Sequence, residues 1–205
     1  MAALLLGCSE ENIEKETPVS SSGVIELVAF GLSENPIEEN KGFGVAYYCY
    51  LNLETDSVFV QKRLNEDEQY ETFAWAGTIK GISQNQKLLN FIEVSQKTKN
   101  GNIVTTLPNG KFFYDGYHYY SSYKKGNSDK FHFYTASKLE SEFEEGVEYM
   151  MALYQHEKLK SINSFVNTDS IVVQLVNRPA FNKGRLSPPP PIRVKVNYTP
   201  PLEKR

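Results

Sequence analysis

The sequence predicts an α+β fold: a mainly antiparallel sheet with two or three helices packed on one face. Three observations carry that expectation. Alternating or wholly apolar runs at 24–32, 43–53 and 117–134 read as strands, separated by turn residues. Two further segments space their apolar residues at helical intervals. Each is opened by a capping-box pair, Ser83 with Gln86 and Ser137 with Glu140. The 205 residues, 40% hydrophobic and 23% charged, suit one generous domain that needs neither disulfides nor metals to fold.

Val24 to Leu32 is apolar on both faces and so is expected in the middle of the sheet. In the next strand Phe43, Val45, Tyr47, Cys49, Leu51 and Leu53 alternate onto one face. Glu54-Thr55-Asp56 then turns the chain and "SVFVQKR" returns as a hairpin partner. Asn65 to Lys80 reads as a poorly patterned helix, with Tyr70, Phe73, Ala74 and Gly77 as one stripe. A cleaner helix follows from Ser83, with Leu88, Leu89 and Ile92 on one face and Asn100-Gly101 as its stop. Asn102 to Leu107 reads as a strand and Pro108-Asn109-Gly110 as a turn. "YHYYSSYKKGNSDKFHFY" reads as a hairpin turning at Lys125 to Asp129. The second helix carries Leu139, Phe143, Val147, Met150, Met151 and Tyr154. "DSIVVQLVN" is expected as a strand, "RPAFNKGRLSPPPP" as a stiffened linker, and "IRVKVNY" as a charged edge strand. Gly44 to Phe59 and Gly116 to Phe131 share a glycine, a Tyr-Tyr pair and a closing Phe at equal offsets. A duplicated hairpin-helix unit would explain that echo.

The formal charge of −3 and the scatter of basic residues speak against a nucleic-acid partner, which needs a clustered positive field. Of the two cysteines, Cys49 within "AYYCYL" reads as a small buried apolar residue. No apolar run approaches the ~20 residues that span a bilayer.

The start of the chain is informative. Leu5-Leu6-Gly7-Cys8 resembles the lipobox of bacterial lipoproteins: a branched apolar residue, a tolerant position, a small residue, then cysteine. The resemblance implies that the Cys8 thiol receives a diacylglycerol and becomes the new N-terminus, a lipid anchor in the membrane. The basic segment and half of the apolar segment that normally precede such a motif are missing. An initiation site farther upstream is expected, with residues 1–7 a signal-peptide remnant. Residues 8–22, "CSEENIEKETPVSSS", are then the lipidated cysteine and a polar, acidic tether. Ser9 resembles an outer-membrane sorting residue, and Glu10-Glu11 is similar to the export signal of surface lipoproteins in the Bacteroidota. The folded domain is expected over residues 23–200, with a sub-boundary near 100–110.

The hairpin offers the one candidate site. With Tyr123 facing Phe131, Ser121 facing Phe133 and Tyr119 facing Thr135, one side is aromatic and buried. The other presents His118, Tyr120, Ser122, His132 and Tyr134 to solvent, a row able to stack on a sugar ring or a peptide. The same composition also fits cross-strand aromatic pairing that needs no ligand. In this register His118 and His132 lie about 13 Å apart, too far to share one zinc, so no metal or other cofactor is expected. Motifs for nucleophilic, metal-dependent or phosphate chemistry do not occur. The acidic set Glu140, Glu142, Glu144, Glu145 and Glu148 reads as a solvated helix face, and nothing places Arg178 or Arg185 near a pocket.

Three functions remain open. The first is a non-enzymatic cell-envelope lipoprotein of the outer membrane, binding a glycan or peptide through an aromatic surface. The second is an envelope hydrolase whose site assembles only in the fold. The third is a cytosolic interaction module.

Overall fold

The computed structural model describes residues 21–32, 42–66, 69–102, 117–135 and 141–183. Cys8 and the tether up to residue 20, the Pro108-Asn109-Gly110 turn, the Ser137/Glu140 pair, the proline run and "IRVKVNY" lie outside the described residues.

Eight strands form one sheet: β1 (Val24–Leu32), β2 (Phe43–Asn52), β3 (Ser57–Glu66), β4 (Gln69–Thr78), β5 (Gly101–Asn102), β6 (Tyr117–Lys125), β7 (Ser128–Thr135) and β8 (Lys160–Ile162). Their order is β5-β7-β6-β1-β2-β3-β4-β8, antiparallel throughout except for β5 on β7. The fold is α+β. β1 is central, as its two apolar faces predict, bonded to β2 on one side and β6 on the other. Segments before and after residues 103–116 therefore share one sheet.

Among the described residues four helices cover it: α1 (Gln86–Lys97), α2 (Ser141–Ala152), α3 (Thr168–Val176) and α4 (Pro179–Lys183). They do not share a face, which corrects the expectation. Phe91 and Ile92 of α1 and Phe143, Val147 and Met150 of α2 pack with Ile25, Leu27, Tyr47 and Cys49. Val172, Leu175 and Val176 of α3 and Phe181 of α4 pack with Val28, Phe30, Tyr48 and Phe133. The physical reason is β1 itself: a strand apolar on both sides needs cover on both sides.

Several local expectations change for identifiable reasons. Ala29 pairs with Tyr47 but Phe30 pairs with Val45, so Ala46 is an extra residue in β2. This bulge shifts the side-chain alternation, and Phe43 and Val45 join the α3–α4 face instead of following Tyr47. Asn65 to Lys80 is no helix. β4 runs the length of β3 from Glu66↔Gln69 to Ser57↔Thr78, and its Trp75 packs against the core. "DSIVVQLVN" is helix α3 rather than a strand. The Asn167 side chain caps it by accepting from the Ser170 amide at 3.1 Å, and Val172, Leu175 and Val176 meet the sheet. The first part of the expected linker is helix α4, with Pro179 at its opening position. In α1 the cap is Asn85, accepting from Lys87 and Leu88, and Ser83 sits in a preceding 3-10 turn. The two echoing segments form the hairpins on either side of β1. The first is continued by β4 and not by a helix, so a duplicated hairpin-helix unit is not what the sheet contains.

The tyrosines are structural. Tyr47 donates to the Met150 carbonyl at 2.5 Å, and Tyr123 donates to the Ser22 carbonyl at 2.8 Å. Each buries a ring and keeps its hydroxyl paired, so tyrosine serves as a core residue here. Cys49 is buried, and burial pushes its thiol pKa well up, away from reactivity.

Candidate functional site

The hairpin β6–β7 decides the fate of the predicted aromatic row. Lys125 pairs with Ser128 across a two-residue turn, with Gly126 in the left-handed region at φ 56. Tyr123 therefore faces Lys130, not Phe131, and the whole register slips by one. A one-residue slip turns every β7 side chain to the other face relative to β6. His132 and Tyr134 point toward α1 and α2; His118 and Tyr120 point toward α3 and α4. The four are thus divided between faces and do not form the exposed row.

Three of them are also buried: His132 at 0%, Tyr120 at 3% and Tyr134 at 4% exposure. Tyr134 stacks on Tyr119, with ring centroids 5.4 Å apart, and meets the edge of Phe143. His118 is half-buried, its ring within 5.7 Å of those of Phe30, Phe43 and Phe181. His132 Nε2 lies 3.3 Å from the Ser95 carbonyl and 3.2 Å from the Ser95 hydroxyl. In the tautomer that donates from Nε2 to the Ser95 carbonyl, Nδ1 is a buried acceptor without a donor among the described residues. Burial is the main cause that lowers the His132 pKa. Tyr134 Oη and Ser121 Oγ are also buried without a hydrogen-bond partner among the described residues, and burial pushes the Tyr134 pKa well up.

Ser95 with His132 is a hydroxyl–imidazole pair, the type of contact a nucleophilic mechanism uses. Both side chains have no exposure at all, so no substrate reaches them. Among the described residues no three His, Cys, Asp or Glu side chains cluster as metal ligands, and no helix is long and apolar enough to cross a membrane.

An open cleft lies elsewhere, between the end of α1, the outer part of β7 and the α3–α4 junction. Its volume is about 640 Å³, and it is lined by Lys99, Asn100, Gly101, Phe131, Arg178, Pro179 and Ala180. Local chemistry builds each wall. Asn100 acts as an extra strand residue: its Nδ2 donates to the Asp129 carbonyl at 3.0 Å, and its Oδ1 accepts from the Phe131 amide at 3.4 Å. Gly101 has φ 128, a conformation that favours glycine, as it begins β5. Arg178 sits where α3 ends, its amide donating to the Leu175 carbonyl at 3.1 Å and its carbonyl accepting from Phe181 at 3.1 Å.

The Arg178 side chain leans back over the hairpin. Its guanidinium carbon is 4.9 Å from the Phe131 ring centre and 5.2 Å from that of Tyr120, a double cation–π contact. Among the described residues no carboxylate pairs with Arg178 or Lys99 and none lines the cleft. A half-buried guanidinium held by ring faces keeps its in-plane N–H donors for something else. Sequence reasoning named Arg178 and Tyr120 separately but could not join them. Their encounter depends on α3 being a helix and on the hairpin register, and neither was readable locally.

No protein-family model, no curated protein and no solved structure matches the chain.

Proposed function

We propose that this chain is a non-enzymatic binding domain of the bacterial cell envelope, held at the membrane by a lipid on Cys8, with the Arg178 cleft as its ligand seat. One observation carries the binding half of this reading: an open cleft holds a ring-packed guanidinium that no carboxylate among the described residues neutralises. The anchor half is supported by the lipobox-like Leu5-Leu6-Gly7-Cys8 and the acidic tether behind it. The hydrolase alternative finds little support, because the Ser95–His132 contact is sealed between helices and sheet.

Two experiments test the reading. Expressed in a bacterial host from its natural upstream region, the wild type should take up labelled fatty acid and the Cys8→Ser variant should not. Absence of label from both, with the protein in the cytoplasm, would favour the interaction-module alternative. A screen of small soluble fragments followed by amide chemical shifts should gather its hits on Gly101, Phe131 and Arg178. Hits scattered over other surfaces would remove the cleft as the seat.

A further inference from the structure

We infer that the cleft recognises a carboxylate borne next to an apolar group, with Arg178 as the carboxylate fork and Phe131, Pro179 and Ala180 as the apolar floor. The inference rests on the reading of the cleft as a ligand seat and names the chemistry that seat selects.

Charge comes first. The whole chain is acidic, at −3, yet the described residues that line this cleft include two cationic side chains and no anionic one. Arg178 is the better placed of the two. Its guanidinium rests over the Phe131 and Tyr120 rings, so part of the entropy of placing a fork is already lost before a ligand arrives. Carboxylates are bound by such a fork through two parallel N–H···O bonds, stronger than neutral ones. Lys99 adds an exposed point charge at the rim.

The walls then restrict what the carboxylate is attached to. Gly101, Phe131, Pro179 and Ala180 offer apolar surface. Among the described lining residues Asn100 carries the one side-chain amide, and its Oδ1 and one of its two Nδ2 hydrogens are engaged by the β7 backbone. An acidic sugar would lay a ring of hydroxyls on this apolar floor, where they lose water and gain few partners. A branched or aromatic side chain suits it better. The same chemistry occurs in a free aryl-alkyl acid and at the C-terminus of a peptide ending in an apolar residue.

The test uses the full chain carrying Cys8→Ser, titrated with three probes: N-acetyl-phenylalanine, its neutral amide, and 3-phenylpropionate. Amide shifts at Gly101 and Phe131 report binding. The acid should bind at least about tenfold more tightly than the amide, the free-energy difference of one charge-assisted pair. Arg178→Gln should erase that preference while the rest of the amide spectrum stays native, and Lys99→Gln should reduce it only partly. Phenylpropionate binding as well as acetyl-phenylalanine would identify a free acid as the source, and clearly weaker binding would identify a peptide terminus. Equal binding of acid and amide at the cleft would overturn the carboxylate inference and leave the ligand seat standing. No shift from any probe at millimolar concentration would overturn both.

Discussion

His132 shows how one buried side chain can tie stability to pH. Its imidazole is fully enclosed, with Nε2 3.3 Å from the Ser95 carbonyl, and such burial favours the neutral form. Removal from water is the largest cause that lowers its pKa from the ordinary value of 6.5, with Lys130 acting in the same direction and the Ser95 carbonyl against it. The unfolded chain therefore binds this proton more readily than the folded one. The stability this neutral imidazole allows is complete above about pH 6.5 and is lost progressively as the pH falls below that value. Urea midpoints of the wild type should drop between pH 7.5 and pH 5. In His132→Gln, whose Nε2 can still reach the Ser95 carbonyl, the drop should shrink. An unchanged pH dependence would assign acid sensitivity to other groups.

Helix α2 contains a glycine, Gly146, where the helix interior would favour alanine by roughly 1 kcal/mol. Packing explains it. A Cβ at Gly146 would lie 2.5 Å from Phe91 Cβ and 3.0 Å from the Lys87 carbonyl, both on α1. Close approach of the two helices lets the Phe91 and Phe143 rings meet at a tilt of 34°, with centroids 4.8 Å apart. Gly146→Ala should therefore destabilise, by about 1–3 kcal/mol, because overpacking outweighs propensity. A rise in the thermal midpoint would mean that α1 and α2 separate at little cost. The same pair shows what was legible. α1 was readable from Leu88 and Ile92, and α2 from Phe143, Val147 and Met150, since both have a clean helical period. α3 was not, because its Ile171-Val172-Val173 run favours strands locally, and only docking on β1 and β2 makes the helix preferable. β4 failed in the opposite direction. Its Phe73, Ala74 and Gly77 fit a helical stripe as well as an alternating one, and β3 as a partner settles the choice.

The two helical layers share one sheet, and that governs how the whole molecule should unfold. Phe143 on one face and Phe181 on the other are both buried against strands β1, β2, β6 and β7 or their neighbours. Losing either layer exposes the back of the same strands, so the layers should melt together. Phe143→Ala and Phe181→Ala should each cost about 3–5 kcal/mol. Both should lower one common midpoint, read by Trp75 fluorescence on the α2 side and by hydrogen exchange of α3 amides on the other. Two separated transitions would show that the α3–α4 layer is an independent unit.

The order of residue types was enough to establish the fold class, the central position of β1, the β2–β3 hairpin and the inward faces of α1 and α2, because each follows from periodicity within a few turns of chain. It also yields the lipobox-like start. The division of helices between two faces, the Ala46 bulge, the β6–β7 register and the encounter of Arg178 with Tyr120 and Phe131 came from packing. Each involves residues distant in sequence, Arg178 and Phe131 lying 47 positions apart. Local preference at such positions differs by at most about 1 kcal/mol between alternatives, whereas burying a single large apolar side chain contributes about 1.5–3 kcal/mol. Where the two compete, the partner across the core decides.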